Sequence, residues 1–428
     1  MAQTLAHDNA AEASGTSPTP PSLWRNRDFV ALLCAETVSQ LGSQITLFAL
    51  PVAAVLVLGA DGGQIGLLKT LFTLPYFVLP LAVGVYLDRR PRRGAMMVAN
   101  AARTLLVFSI PAVAWLHLLT MNQLLVVALL GGFFAVVFDL AYAAYLPSLV
   151  GRDRLGAANS LIQTGYSTAF LAGPGIAGLL VNAFGAASAL LADALSYLVS
   201  FVTIARIRFR EPVAERRPRR PFAEAWEGLA ALFRIGPIRA VALHAAIYNA
   251  SFQLIEVAFL VYALNTVGLG PGAFGLVVTV GGVGGLVGAL SGARIGRRLG
   301  YGPAMVTAAL VESLAYPLLP AGHGGRTALL VVFGLTFLIG GAGTGAANVL
   351  VATIRQSHTP DELMARVGAG YRMMNAGAVP IGAALGGVLV TALGARTTMW
   401  IAPFGLLASV LPLVLTSSFR RLRTLPTG

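Results

Sequence analysis

Apolar residues run along this 428-residue chain in long blocks parted by short stretches rich in arginine and glycine. Twelve blocks can be drawn, at about 29–58, 64–87, 94–119, 122–147, 156–182, 185–206, 238–267, 271–294, 302–321, 326–354, 363–392 and 395–417. At a rise of 1.5 Å per residue, about 20 residues cross a hydrocarbon layer ~30 Å thick. Backbone groups in lipid must find partners within their own segment, so blocks of this length read as helices. The pattern therefore predicts an all-α membrane protein with twelve transmembrane helices. The 49 glycines and 23 prolines fit, since membrane helices tolerate both.

Charge adds orientation. Only 11% of residues are charged, against about a quarter in a soluble domain. Twenty-five of the 30 basic residues fall in stretches that twelve crossings would bring to one side, and only Arg326 and Arg396 fall on the other. Lys69, Arg103 and Arg372 sit within blocks. The positive-inside rule then makes both ends and the long middle loop cytoplasmic, in an inner (cytoplasmic) membrane. The net charge of +13 thus anchors topology and implies no nucleic acid.

The expected organisation is a disordered cytoplasmic tail (1–22), a six-helix bundle (23–206), a basic linker (207–237), a second six-helix bundle (238–417) and a short cytoplasmic tail (418–428). Residues 1–22 lack the basic start and apolar core of a secretory signal. Within the linker, Phe222, Trp226, Leu229, Leu232 and Phe233 stand near helical spacing after a run of arginines. That suits an amphipathic helix on the inner membrane surface, or equally a solvated connector. The halves echo each other: Gly84-x3-Asp88-Arg89-Arg90 recurs 208 residues later as Gly292-x3-Gly296-Arg297-Arg298. Two pseudo-symmetric bundles place a substrate path between them, near the membrane midplane.

Several chemistries drop out. Cys34 is the single cysteine, the five histidines have no ligand spacing, and no Walker-type loop is present. No cofactor, metal site or enzyme constellation is expected.

The segment GVYLDRRPRR (84–93) resembles the signature loop of the major facilitator superfamily, with Pro91 where glycine is usual. Gly84 suits close helix approach, Asp88 suits a helix cap, and Arg89, Arg92 and Arg93 suit clamping of carboxylates. The resemblance implies a gating latch on the cytoplasmic side. LAGPGIAG (171–178) is similar to the Gly-Pro motif of the superfamily's drug exporters, making Gly173, Pro174 and Gly178 a candidate hinge. VSQLGSQITLFALP (38–51), FDLAYAAYLPSLVGRDRLGAANSL (138–161) and HTPDELMARVGAGYRMMNAGAVPIGAALGG (358–387) resemble the bacterial subgroup of macrolide effluxers, siderophore exporters and transmembrane secretion effectors. Ser43 stands where some of those relatives carry an aspartate, so no coupling role transfers there.

Five acids fall within blocks: Glu36, Asp139, Asp193, Glu256 and Glu312. Ionisable groups at membrane depth are costly and mark function, and a carboxyl there can load and release a proton. Glu36, with Gln40 and Gln44 on following turns, and Glu256, with Asn249 and Gln253 before it, are the leading proton-coupling candidates. Arg103 and Asp139 lie ~12–14 Å from the same end of their spans, so they are expected to pair. Asp193 and Glu312 suit polar pockets between helices equally well, and His244 suits a buried polar partner. Lys69 is expected either to snorkel outward or to neutralise one of the acids, snorkelling being the commoner fate. Tyr142 joins Gln40, Gln44, Asn249 and Gln253 as candidate cavity lining.

The expectation is a monomeric, proton-coupled secondary transporter. It exports small amphipathic organic compounds by alternating access, with substrate, protons and membrane lipid as its only partners. Alternatives are a dedicated exporter of one siderophore or self-made antibiotic, and a non-transporting membrane sensor or accessory protein. Outward direction is implied by the resemblance alone.

Overall fold

The computed structural model describes residues 23–87, 90–209, 211 and 221–424. The expected N-terminal tail, most of the basic half of the linker, and Asp88 and Arg89 lie outside the described residues. Among those described, every regular element is helical.

The first half comprises α1 (Arg27–Leu58), α2 (Gly62–Val78), α3 (Pro80–Leu87), α4 (Arg92–Trp115), α5 (Met121–Val150), α6 (Leu155–Phe184) and α7 (Ala186–Arg206). The linker contributes α8 (Pro221–Arg234). The second half comprises α9 (Gly236–Val261), α10 (Pro271–Leu299), α11 (Tyr301–Ala315), α12 (Leu318–Ala321), α13 (Arg326–His358), α14 (Met364–Leu393), α15 (Ala395–Ala408), α16 (Leu411–Leu415) and α17 (Ser417–Arg420). Eleven of these helical stretches are long and apolar enough to cross a membrane, and the bent pair α2 and α3 supplies a twelfth.

That pair corrects the straight helix expected over 64–87. The chain bends by 52° at Leu79. Pro80 has no N–H to donate to the carbonyl of Tyr76, and its ring crowds that carbonyl, so the helix restarts in a new direction. Pro317 and Pro412 accompany the breaks that part α11 from α12 and α15 from α16 in the same manner.

The linker face, where α1 begins and α8 lies, and the far face, where α1 ends, are built differently. At the far face the two halves share one apolar core. Phe48 of α1 meets Phe274 of α10 with ring centroids 5.4 Å apart, and Phe259 of α9 stands 5.6 Å from Phe274 and 5.1 Å from Phe333 of α13. At the linker face each half has its own core. One gathers Phe29, Leu32, Met96, Phe138 and Tyr145, the other Val241, Met305, Leu350 and Phe419.

Glycines let the halves touch at the far face. A Cβ added to Gly66 of α2 would lie 2.5 Å from the Cα of Gly387 on α14 and 2.7 Å from the Ala383 carbonyl. One added to Gly275 of α10 would lie 2.6 Å from the carbonyl of Pro174 on α6. The two bundles are therefore closed on each other at the far face and parted at the linker face.

The linker helix packs on the second half. Leu232 is fully buried with Ile238, Ala242 and Val367, while Trp226 is exposed. A Cβ on Gly228 would collide with the Arg366 carbonyl, and Glu227 pairs with Arg366 at 3.4 Å.

Candidate functional site

Glu36 lies in the third turn of α1, on the face that also carries Gln40, one turn on. Tyr166, from the middle of α6, completes a ring of hydrogen bonds with them. The tyrosine hydroxyl donates to Glu36 Oε1 at 2.8 Å, Gln40 Nε2 donates to the same oxygen at 2.8 Å, and Gln40 Nε2 also donates to the tyrosine oxygen at 2.9 Å. The other oxygen, Glu36 Oε2, is buried without a hydrogen-bond partner among the described residues, and so is the hydroxyl of Tyr142. A buried polar atom left unpaired costs about 1–3 kcal/mol, and these two retain unused hydrogen-bonding capacity.

Beside it, a cavity of about 470 Å³ runs between the last turns of α5 and the first turns of α6, lined by Asp139, Tyr142, Asn159 and Tyr166 among others. A volume of this size accommodates a drug-sized molecule. Asp139 accepts a hydrogen bond from Tyr76 of α2 at 3.1 Å.

The expected Arg103–Asp139 ion pair is not formed. The Arg103 guanidinium instead donates to Ser43 Oγ at 3.1 Å and to the Tyr197 hydroxyl, and stacks 3.8 Å from the Tyr197 ring centroid, near Asp139 but without direct contact. Helical rise gave both residues the same depth; the direction around each helix separates them. Asp193 joins the same buried belt, accepting from Thr46 at 2.5 Å and from Ser196 at 3.0 Å. Gly42 makes the belt possible, since a Cβ there would lie 2.4 Å from Asp193 Oδ1. This network ties α1, α4 and α7 together inside the first bundle.

Glu312 has a comparable place in the second bundle. His244 Nε2 stands 3.2 Å from Glu312 Oε1, and Nδ1 stands 3.0 Å from the Ser409 carbonyl. A carbonyl only accepts, so Nδ1 carries a proton and Nε2 faces the acid. Both side chains are buried.

Glu256 behaves otherwise. Its Oε1 meets Lys69 Nζ of α2 at 2.5 Å, across the boundary between halves and on the closed side. Of the two expected fates, Lys69 takes the less common one and neutralises an acid: its partner lies on the other bundle, and only 16% of its side chain is exposed against 44% for Glu256. Of the remaining cavity candidates, Asn249 donates to Asn375 of α14 at 2.8 Å, and Gln44 is covered by Gly173 of α6. Gln253 makes no side-chain hydrogen bond among the described residues.

The Gly-Pro motif belongs to the closed contact. Helix α6 runs unbroken through Pro174, and a Cβ on Gly178 would lie 2.9 Å from the Pro271 carbonyl at the start of α10. In the signature loop, Arg92 clamps a carboxylate, as its chemistry suggested. Its Nη1 reaches Glu211 Oε1 at 3.1 Å and its backbone N–H reaches Oε2 at 2.9 Å. Arg93 donates to the carbonyls of Ile204 and Ala205 at the end of α7, at 3.1 and 2.6 Å. Gly84 is a correction: among the described residues nothing lies within 4 Å of a Cβ placed there, so it serves no close helix contact in this conformation. Its counterpart Gly292 does pack closely, against Ala346 of α13. Sequence reasoning missed Glu211, Tyr197 and Asn375, whose signal exists only once helices are paired.

Residues 32–379 match the family model described as Major Facilitator Superfamily. The multidrug efflux pump Tap of Mycolicibacterium fortuitum is 26% identical over 378 residues, 86% of this chain and 90% of that protein. An MFS-type transporter of Sinorhizobium fredii, y4rN, is 26% identical over 84% of this chain and 88% of its own length. Among solved structures, a bacterial homologue of the iron transporter ferroportin in its inward-facing state aligns with a TM-score of 0.74 at 17% identity, covering 93% of this chain and all of that one. The outward-facing state of a ferroportin homologue aligns with a TM-score of 0.59 at 16% identity, covering 91% and 99%.

Proposed function

Since the chain belongs to the major facilitator superfamily, and is thus a multi-pass membrane transporter rather than an enzyme, we propose that it exports small amphipathic organic compounds in exchange for protons. The arginine-rich linker face is cytoplasmic, together with both ends of the chain, and the membrane is the inner one. The conformation described is then inward-facing, which agrees with the closer fit to the inward-facing neighbour. Similarity to a multidrug efflux pump supports the outward direction and a broad organic cargo.

The observation that carries the reading is the Lys69–Glu256 pair, the ion pair that crosses between the halves among the described residues. With the far face closed, Glu256 is committed to Lys69 and carries no cargo proton. When the halves part on that side the pair must separate, which frees the carboxylate to take a proton from outside. Meanwhile the cavity beside Glu36, Asp139, Tyr142 and Tyr166 is reached from the cytoplasmic side and receives cargo. Glu36 is the second proton site, because one of its oxygens is already buried and unpaired. Substrate and proton thus favour opposite states of one two-state scaffold.

Transport in everted vesicles tests this. Glu256→Gln and Glu36→Gln should each abolish gradient-driven export of a lipophilic dye or drug while leaving the protein in the membrane. Unchanged export by both single variants and by the double variant sinks the assignment.

A further inference from the structure

A second cavity lies away from the path between the halves. It is a groove of about 630 Å³ on the outer wall of the second bundle, between the first turns of α9 and the broken end of the last span. Arg239, Leu243 and Ile247 recur every four residues along one stripe of α9 and form one wall. Leu411 and Leu415 of α16 form the other, and they are 55% and 75% exposed. Side chains so open on the rim of a membrane bundle face lipid, so the groove opens to the hydrocarbon layer and not to the transport path.

The groove is graded in polarity. Leucine and isoleucine line its membrane side, while Arg239, Ser417 and Ser418 gather at its mouth on the arginine-rich face. Among the described residues, the guanidinium of Arg239 and the hydroxyls of Ser417 and Ser418 have no hydrogen-bond or ion-pair partner, and no acid lines the groove. Gly236 leaves room beside Ser418, whose Oγ would lie 3.0 Å from a Cβ there. Three unpaired donors above an apolar trough match a phosphodiester that carries a hydrocarbon chain. A free phosphate matches the mouth only. A neutral sterol-like molecule matches the trough only.

We propose that this groove holds an anionic phospholipid, its phosphate on Arg239, Ser417 and Ser418 and an acyl chain along Leu243, Ile247, Leu411 and Leu415. The lipid would tie the start of α9 to the end of the last span, steadying the helix that carries Glu256. Charge selects the lipid, since an arginine at the membrane surface favours an anionic headgroup.

Native mass spectrometry of the full chain in detergent, titrated with phosphatidylglycerol or phosphatidylcholine, tests the site. Wild type should retain phosphatidylglycerol in preference to phosphatidylcholine. Arg239→Gln should weaken that retention about five-fold, the worth of one surface arginine. Arg239→Lys should keep most of it, and Arg297→Gln, at the end of α10 on the same face, should leave it unchanged. Equal retention by wild type and Arg239→Gln overturns the proposal. So does an equal loss in Arg297→Gln, which would mean general surface charge. Full displacement by inorganic phosphate overturns it as well, since that would mean an ion site without a lipid.

Discussion

Lys69 Nζ and Glu256 Oε1 stand 2.5 Å apart, with one residue on each bundle, and they meet where the bundles are closed together. Lys69 is largely shielded from solvent while the pair is made and Glu256 is partly solvated, so the lysine depends more on its partner. Losing one member leaves a partly buried charge unpaired, which costs more than the pair gains over two neutral side chains. Lys69→Ala or Glu256→Gln should therefore loosen the far face, and the charge swap Lys69→Glu with Glu256→Lys should restore closure. The measurement is maleimide labelling at Thr279→Cys in a Cys34→Ser background, since Thr279 is packed against Gly175 in the α6–α10 contact. Single variants should label several-fold faster than the swapped pair.

Closure also rests on missing side chains. Gly66 and Gly275 would each place a Cβ within 3 Å of backbone on the opposite bundle, and backbone cannot rotate aside. Overpacking of this kind costs about 1–3 kcal/mol, enough to move a two-state equilibrium about five- to 150-fold. Gly66→Ala and Gly275→Ala should shift the protein toward the outward-open state and cut turnover. Gly131→Ala, with nothing within 4 Å of the added carbon, should leave turnover unchanged. Labelling at Thr279→Cys and export rates give the two readouts.

How much of this was legible in the chain divides along a physical line. Span number, depth and the division into halves follow from hydropathy, helical rise and the placement of arginine, all properties of position along a helix. The direction a side chain takes around its helix depends on which helices pack together. Arg103 and Asp139 have matching depths but face Tyr197 and Tyr76 respectively. Whether Lys69 snorkels or neutralises an acid, and which acid, is decided only when α2 is set against the second bundle. Likewise, glycines that meet across the halves look no different in the sequence from Gly84, which meets nothing here. The expectation that His244 is a buried polar partner needed only its place in an apolar run, and it stands beside Glu312.

Arg103 and Asp139 have separate hydrogen-bond partners yet lie near enough to feel each other's charge, so their substitutions should be coupled more weakly than those of a direct ion pair. Arg103→Met should destabilise strongly, since it empties the stacked site on Tyr197 and removes the cation from the belt that holds Asp193. Asp139→Asn keeps a hydrogen-bond acceptor for Tyr76 and should cost less. In a double-mutant cycle on thermal unfolding in detergent, the coupling between the two should be about 0.5–1 kcal/mol. A coupling of several kcal/mol would mean that they meet as a pair in the protein as it exists in solution.

The tyrosines beside Glu36 separate stability from cargo binding. Tyr166 donates to Glu36 and accepts from Gln40, so Tyr166→Phe breaks both bonds and leaves the carboxyl with a single donor. It should lower stability by about 1–3 kcal/mol. Among the described residues, the hydroxyl of Tyr142 is buried and unpaired in the same neighbourhood, on the wall of the cavity. Removing it relieves an unpaired polar group, so Tyr142→Phe should leave the melting temperature unchanged or slightly raised. If that hydroxyl awaits a polar group of the cargo, the same variant should raise the KM for export severalfold with little change in the maximal rate. Unfolding curves and export kinetics on the two variants distinguish the roles. A lowered melting temperature for Tyr142→Phe with an unaltered KM would mean that the hydroxyl serves the fold and that the cavity beside Asp139 is not where cargo first docks.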